Sequence, residues 1–137
     1  MYNKIDFSVI ISTYNQPEWL EKVLCGYNNQ TFQSFEIVIA DDGSNSATAK
    51  LIESIREKVS YPIQHIWHED NGFQKCSILN KAILASKGEY LVFSDGDCIP
   101  RKDFLEIHAK YRAPGFFLSG GMFRTTMDVA NSIKLID

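Results

Sequence analysis

The sequence predicts an α/β fold, a mainly parallel sheet flanked by helices, and three observations carry that expectation. Apolar runs of strand length alternate with helix-period segments from one end of the chain to the other. Three of those runs are each followed by a polar signature: Ser12-Thr13-Tyr14-Asn15, Asp41-Asp42-Gly43-Ser44 and Asp95-Gly96-Asp97. The chain of 137 residues, 45% apolar, is long enough for one core and has no room for two. Such alternation implies right-handed β-α-β units, and in open parallel sheets ligands gather beyond the carboxyl ends of the strands. All three signatures then share one rim.

Phe7-Ser8-Val9-Ile10-Ile11-Ser12 reads as the first strand. Pro17 can open the helix that follows, where Leu20, Val23, Leu24 and Tyr27 fall at helical spacing on one apolar face. Phe35 to Ala40 is the second strand, and Leu51, Ile52, Ile55 and Val59 mark the core face of the second helix. Pro62 starts a weaker strand through Trp67. Ile78, Leu79, Ala82 and Ile83 define a third helix, with Gly88 as its expected C-terminal cap. The strand Tyr90 to Ser94 leads into the acidic motif, a helix spans Phe104 to Tyr111, and a further strand is expected over Gly115 to Gly121. Val129, Ile133 and Ile136 again have helical spacing, so the chain reads as ending inside a helix with no stop signal, as a fragment would.

Composition excludes several classes. A net charge of -3 with scattered Lys and Arg argues against a nucleic-acid surface, so an anionic ligand must be met locally. No apolar stretch approaches the ~20 residues that span a bilayer, and the first residues lack the pattern of a signal peptide. A cytoplasmic location is the default expectation. Cys25, Cys76 and Cys98 are odd in number and far apart, which fits reduced thiols, and neither they nor His65 and His68 form a zinc-ligand spacing.

Asp95-Gly96-Asp97 follows the apolar run Tyr90 to Ser94 directly. Extended residues at i and i+2 project to the same side, so both carboxylates can face one cation, with Gly96 leaving room for it. Hard oxygen ligands of this kind suit Mg²⁺ or Mn²⁺, whose shell is commonly completed by water and substrate phosphates. Asp and Gly are equally the residues of a turn. The motif alone leaves both readings open.

The ordered set of motifs resembles the nucleotide-sugar part of family 2 glycosyltransferases, the inverting enzymes with a GT-A fold. The resemblance runs through Val9 to Asn15, Gln30-Thr31-Phe32, Ile39 to Ser44, and Lys87-Gly88-Glu89-Tyr90 leading into Asp95-Gly96-Asp97. Glu69 to Phe73, Asn80 to Ile83 and Asp97 to Pro100 are also similar to galactosyltransferase-like and capsule-building members. What it implies is a GT-A fold, Rossmann-like and truncated here, with residues 1–137 forming the donor-binding part. It also implies a UDP-sugar donor, Mn²⁺ or Mg²⁺ as cofactor, and a glycan or lipid-linked acceptor. Peripheral attachment at the inner membrane face, through regions outside this chain, is a further implication.

By the same resemblance Asp41 accepts from uracil N3–H while Asp42 shapes the loop. A carboxylate at either position would select uridine over cytidine. An Asp pair that caps the next helix and turns with Gly43 is the structural alternative. Tyr14 resembles a residue lining the uracil pocket, where an aromatic ring can stack on a base, though a packing role is equally open. Ser12 and Thr13 could supply hydroxyl or backbone contacts, and Gly72 and Lys75 lie where the family carries a basic residue near the nucleotide. Asp95 resembles a ribose or metal contact and Asp97 the direct metal ligand. The metal would bridge two phosphate oxygens of UDP and neutralise the leaving group.

Sugar transfer also needs a general base for the acceptor hydroxyl, and in the family that carboxylate lies well after the acidic motif. It is expected beyond Asp137, with Asp103, Glu106 and Asp128 as the carboxylates otherwise available. The competing reading is a nucleotide-binding module that binds UDP without turnover. A nucleotidyltransferase should carry a Gly-rich, basic loop after the first strand, and Ser12 to Asn15 has neither glycine nor base.

Overall fold

The computed structural model describes residues 4–134. Four strands, β1 (Phe7–Thr13), β2 (Phe35–Asp41), β3 (Ile63–Trp67) and β4 (Tyr90–Asp95), form one sheet in the order β3-β2-β1-β4. Every pairing is parallel, with Ile10 opposite Val38 on one side and Phe93 on the other. The helices α1 (Pro17–Asn28), α2 (Ser46–Arg56) and α3 (Lys75–Ala85) make the crossovers, followed by α4 (Phe104–Tyr111) and α5 (Met127–Ser132).

Strand alternation divides the core between the two faces of the sheet. Phe7, Val9 and Ile11 of β1 pack with Leu20, Val23, Leu24 and Tyr27 of α1 and with Ile52 and Ile55 of α2. Ile10, Val38 and Ala40 point the other way, onto Ile78 and Ala82 of α3. Each fully buried aliphatic side chain stabilises the fold by roughly 1.5–3 kcal/mol. β1 and β2 are buried on both faces and therefore read as continuous apolar runs.

The chain builds outward from β1 to β2 and β3, then returns to place β4 on the other side of β1. The crevice between the carboxyl ends of β1 and β4 is the topological switch point of this sheet, the place where such folds bind ligands.

Five expected details differ. The span Gly115 to Gly121 is not a strand: it pairs with no described strand, and Phe116 and Phe117 are exposed. Gly88 does not cap α3, which stops at Ala85 with Ser86 extended. Gly88 instead packs against the backbone of Phe7 and Ser8. Val59 lies beyond the end of α2 yet still packs on the core, and Ile83 is exposed. The last helix ends at Ser132 with Ile133 extended, and Ile136 lies outside the described residues.

Candidate functional site

The carboxyl ends of β1 and β4 open into a cleft of about 1040 Å³. Ser12, Thr13, Tyr14, Asp42, Gly72, Lys75, Asp95 and Asp97 all line it. The sheet register explains why, since Ser12 lies opposite Asp95 and Thr13 opposite Asp41. Gly96 is needed where it stands. Its N–H donates to the Ser12 carbonyl (2.8 Å), and a Cβ there would come within 2.9 Å of that oxygen.

Asp95 is held from two sides. Its Oδ1 accepts from Ser12 Oγ (2.8 Å) and from Lys75 Nζ (2.9 Å), the lysine arriving from the first turn of α3. The Lys75 hydrogen bond holds the Asp95 carboxyl below its ordinary value, against the opposing effect of partial burial. The acidic motif forms a turn, closed by the Cys98 N–H on the Asp95 carbonyl (3.1 Å), and the turn brings several oxygen and sulfur atoms together. Those of Asp95, Asp97 and Cys98 lie within 4.8 Å of one another.

The two carboxylates fit a hard divalent cation. Among the described residues Asp95 Oδ2 accepts no hydrogen bond, and Asp97 accepts only a long contact from Cys98 Sγ (3.6 Å). The thiol is a poorer match for such an ion. Burial, then the charge of Asp97, pushes its pKa up and keeps it protonated.

Across the cleft, Tyr14 is 48% exposed and donates its hydroxyl to Asp70 Oδ2 (2.7 Å), a bond that raises the phenol pKa. Asp70 Oδ1 accepts from the Gly72 N–H (3.1 Å). Thr13 Oγ1 is buried and has no partner among the described residues. Asn15 is the single non-glycine residue with positive φ (47°) among them. It latches two loops, donating its N–H to Ser44 Oγ (2.8 Å) and accepting from the Asn45 N–H through Oδ1 (2.8 Å).

The two members of the Asp pair sit in different surroundings. Asp41 is fully buried and does not line the cleft. Its Oδ1 accepts from the Ser44 N–H (2.9 Å) and its Oδ2 bonds His65 Nε2 (2.8 Å). Asp41 ends a doubly buried strand with its side chain turned into the protein. Asp42, one residue on, reaches the cleft. Neither caps α2, whose cap is Asn45.

Sequence reasoning missed three participants. His65 and His68 read as isolated histidines, yet each bonds one carboxylate of the pair. Asp70 lay in a quoted motif without a role. The available signal was the parallel register, which sets Asp41 beside Trp67 at the end of β3.

An open parallel sheet with carboxylates, hydroxyls and a lysine at its switch point defines the class as α/β proteins with a polar cleft at the carboxyl edge of the sheet. The family model for glycosyl transferase family 2 matches residues 8–115, and the chain belongs to that family. A chondroitin synthase of Pasteurella multocida (strain Pm70) is 30% identical over 99 residues, 72% of this chain and 10% of that protein. The poly(ribitol-phosphate) β-N-acetylglucosaminyltransferase TarS of Staphylococcus aureus (strain Mu50) is 30% identical over 107 residues, covering 77% of this chain and 18% of the relative.

Among solved structures, S. aureus TarS 1-349 in complex with UDP-GlcNAc superposes with a TM-score of 0.65 at 30% identity, over 77% of this chain and 30% of that one. The mannosyltransferase PcManGT from Pyrobaculum calidifontis, in complex with GDP-Man and Mn²⁺, gives 0.68 at 25% identity, over 80% and 32%. The fold is that of the GT-A transferases. The chain thus spans a minor part of the relatives it matches. No helix among the described residues is long and apolar enough to cross a membrane.

Proposed function

We propose that residues 1–137 are the donor-binding part of an inverting transferase that moves a sugar from a UDP-sugar to a glycan or lipid-linked acceptor. The observation that carries this reading is the cleft at the switch point, which joins the ends of β1, β2 and β4 and the start of α3. The likeness to a transferase structure holding UDP-GlcNAc supports it. In this reading Asp42 accepts from the uracil N3–H, the contact expected of Asp41, because Asp42 is the member of the pair at the cleft. Tyr14, exposed and aligned by Asp70, offers its ring to the base. Ser12, Thr13 and Gly72 surround the ribose and phosphate path, and the unpartnered Thr13 hydroxyl is available to a ligand oxygen.

Lys75 places a positive charge beside Asp95 and so lowers the repulsion that two carboxylates would exert on a diphosphate. Asp97 and Asp95 would hold Mn²⁺ or Mg²⁺, which supplies Lewis-acid neutralisation of the leaving diphosphate. The location that fits a nucleotide-sugar donor is the cytoplasm, at the inner membrane face if the acceptor is lipid-linked.

One observation favours the narrower reading of donor binding without turnover. None of Asp103, Glu106 and Asp128 lines the cleft; Asp103 bonds Arg101 and Glu106 bonds Thr31. A positioned base contributes about 10²–10⁴-fold, so this chain should bind donor and release UDP no faster than slow hydrolysis. Calorimetry with UDP, CDP, ADP and GDP, each with Mn²⁺ or with chelator, tests the proposal. UDP should bind best and only with the metal at full strength. Equal binding of GDP, or no effect of the chelator, would sink it.

A further inference from the structure

Asp42 is fixed by two bonds that leave little freedom to its carboxylate. Oδ2 accepts from the Gln74 N–H (2.9 Å) at the N-terminus of α3, where negative charge is favoured. Oδ1 bonds His68 Nε2 (2.6 Å), and both side chains are only 11% exposed. Behind the histidine, Lys81 Nζ stands 3.0 Å from His68 Nδ1.

That last contact favours one tautomer: an ammonium group has donors and no acceptor, so facing it Nδ1 is the accepting nitrogen and the ring proton lies on Nε2, toward Asp42. Were Nδ1 to carry the proton instead, the Nε2 lone pair would confront the carboxylate at 2.6 Å. Lys81, exposed on α3, therefore fixes which proton faces a carboxylate that it never touches.

We propose that Lys81 is a positioning residue for nucleobase recognition, holding His68 as the Nε2–H tautomer so that Asp42 is presented, aimed and with its charge undiminished by a proton, to an imide N–H in the cleft. This rests on the nucleotide reading above and adds to it a remote determinant of base affinity. It predicts a loss confined to ligands that carry a base. Pyrophosphate shares the diphosphate and metal contacts but has nothing for Asp42 to read.

The test measures UDP and pyrophosphate affinity, both with Mn²⁺, for wild type, Lys81→Met, Lys81→Arg, His68→Gln and the double variant His68→Gln/Lys81→Met. Lys81→Met should weaken UDP by about fivefold or more while pyrophosphate stays within about twofold, and Lys81→Arg, which keeps a donor, should recover most of the loss. His68→Gln places an amide donor near Asp42 without a tautomer to choose, so adding Lys81→Met to it should change nothing further. Nitrogen chemical shifts of the His68 ring in wild type should report the Nε2–H form. Equal UDP affinity in Lys81→Met, a parallel fall for pyrophosphate, full additivity in the double variant, or an Nδ1–H ring would each overturn the proposal. If wild type binds pyrophosphate but shows no gain for UDP, the nucleotide reading itself fails and takes this inference with it.

Discussion

The two ends of the sheet use the same kinds of side chain to opposite effect. At the amino end, Glu36 is buried and both its oxygens accept hydrogen bonds: Oε1 from Ser8 Oγ (2.7 Å) and the Lys87 N–H (2.7 Å), Oε2 from Gln64 Nε2 (3.0 Å). Ser8 Oγ in turn accepts from the Gly88 N–H (2.8 Å), so strands β1 to β4 are tied where they begin. At the carboxyl end, Asp97 is exposed, Asp95 has an oxygen to spare and Thr13 has a hydroxyl with no partner. A polar group satisfied within the protein holds the fold. One left open has capacity for something else.

The largest expected effect comes from breaking the closed end. Glu36→Ala leaves Ser8 Oγ and the Lys87 N–H without their acceptor and costs Gln64 one of its two, the Ala85 carbonyl (2.9 Å) remaining; at roughly 1–3 kcal/mol for each orphan, with the third bond lost as well, the loss should reach about 3–5 kcal/mol. Denaturant unfolding measures it, and a loss below about 1 kcal/mol would show that the network is not what ties the strands.

A matched pair of glycines sharpens the contrast. A Cβ on Gly88 would sit 2.5 Å from the backbone of both Phe7 and Ser8, whereas one on Gly96 would sit 2.9 Å from the Ser12 carbonyl oxygen and 3.2 Å from Thr13 Oγ1. Gly88→Ala should cost about 2–4 kcal/mol and Gly96→Ala roughly half that. The order of their unfolding midpoints is the result to watch, and its reversal would count against the comparison.

Asp97→Ala should leave stability within about 0.5 kcal/mol of wild type. It should also abolish the gain in UDP affinity that Mn²⁺ confers, an effect expected near tenfold or about 1.4 kcal/mol. Calorimetry paired with thermal unfolding separates the two outcomes. A large stability loss with the metal effect intact would invert the assignment of the open end.

The smallest effect is on acid stability. Lys75 lowers the Asp95 pKa from its ordinary 3.8, so the pair stabilises the folded state above that value and the contribution disappears as pH falls through the lowered one. Both side chains are more than a third exposed, so screening keeps the effect small. Lys75→Met should lose a little stability at neutral pH and converge on wild type in acid. A difference that grows below pH 3.8 would contradict that sign.

Much of this was legible in the sequence because β1 and β2 are buried on both faces, which makes their signal a plain apolar run. The rim followed once parallel order was inferred. Gly115 to Gly121 misled for the complementary reason: its composition favours a strand, but a strand also needs a pairing edge, and here none meets it. The choice between Asp41 and Asp42 could not be read from residue type. It turns on which of two adjacent carboxylates faces inward at the end of β2, and that depends on a histidine 24 residues away. Gly88 carried a real constraint under a mistaken role, close backbone approach in place of helix capping.

The Asn15 latch bears on how such a rim can change over generations. Because the loop after β1 is bonded through one residue, by its backbone N–H to Ser44 and by its side chain to Asn45 of the loop after β2, neither loop is a free module. A substitution or insertion in one loop must therefore keep its fit to the other. The segment 68–74 before α3 is bound in the same way, through His68 and Gln74 to Asp42 and through Asp70 to Tyr14, so the three loops form one interlocked rim and a change of shape in any of them is felt by the other two.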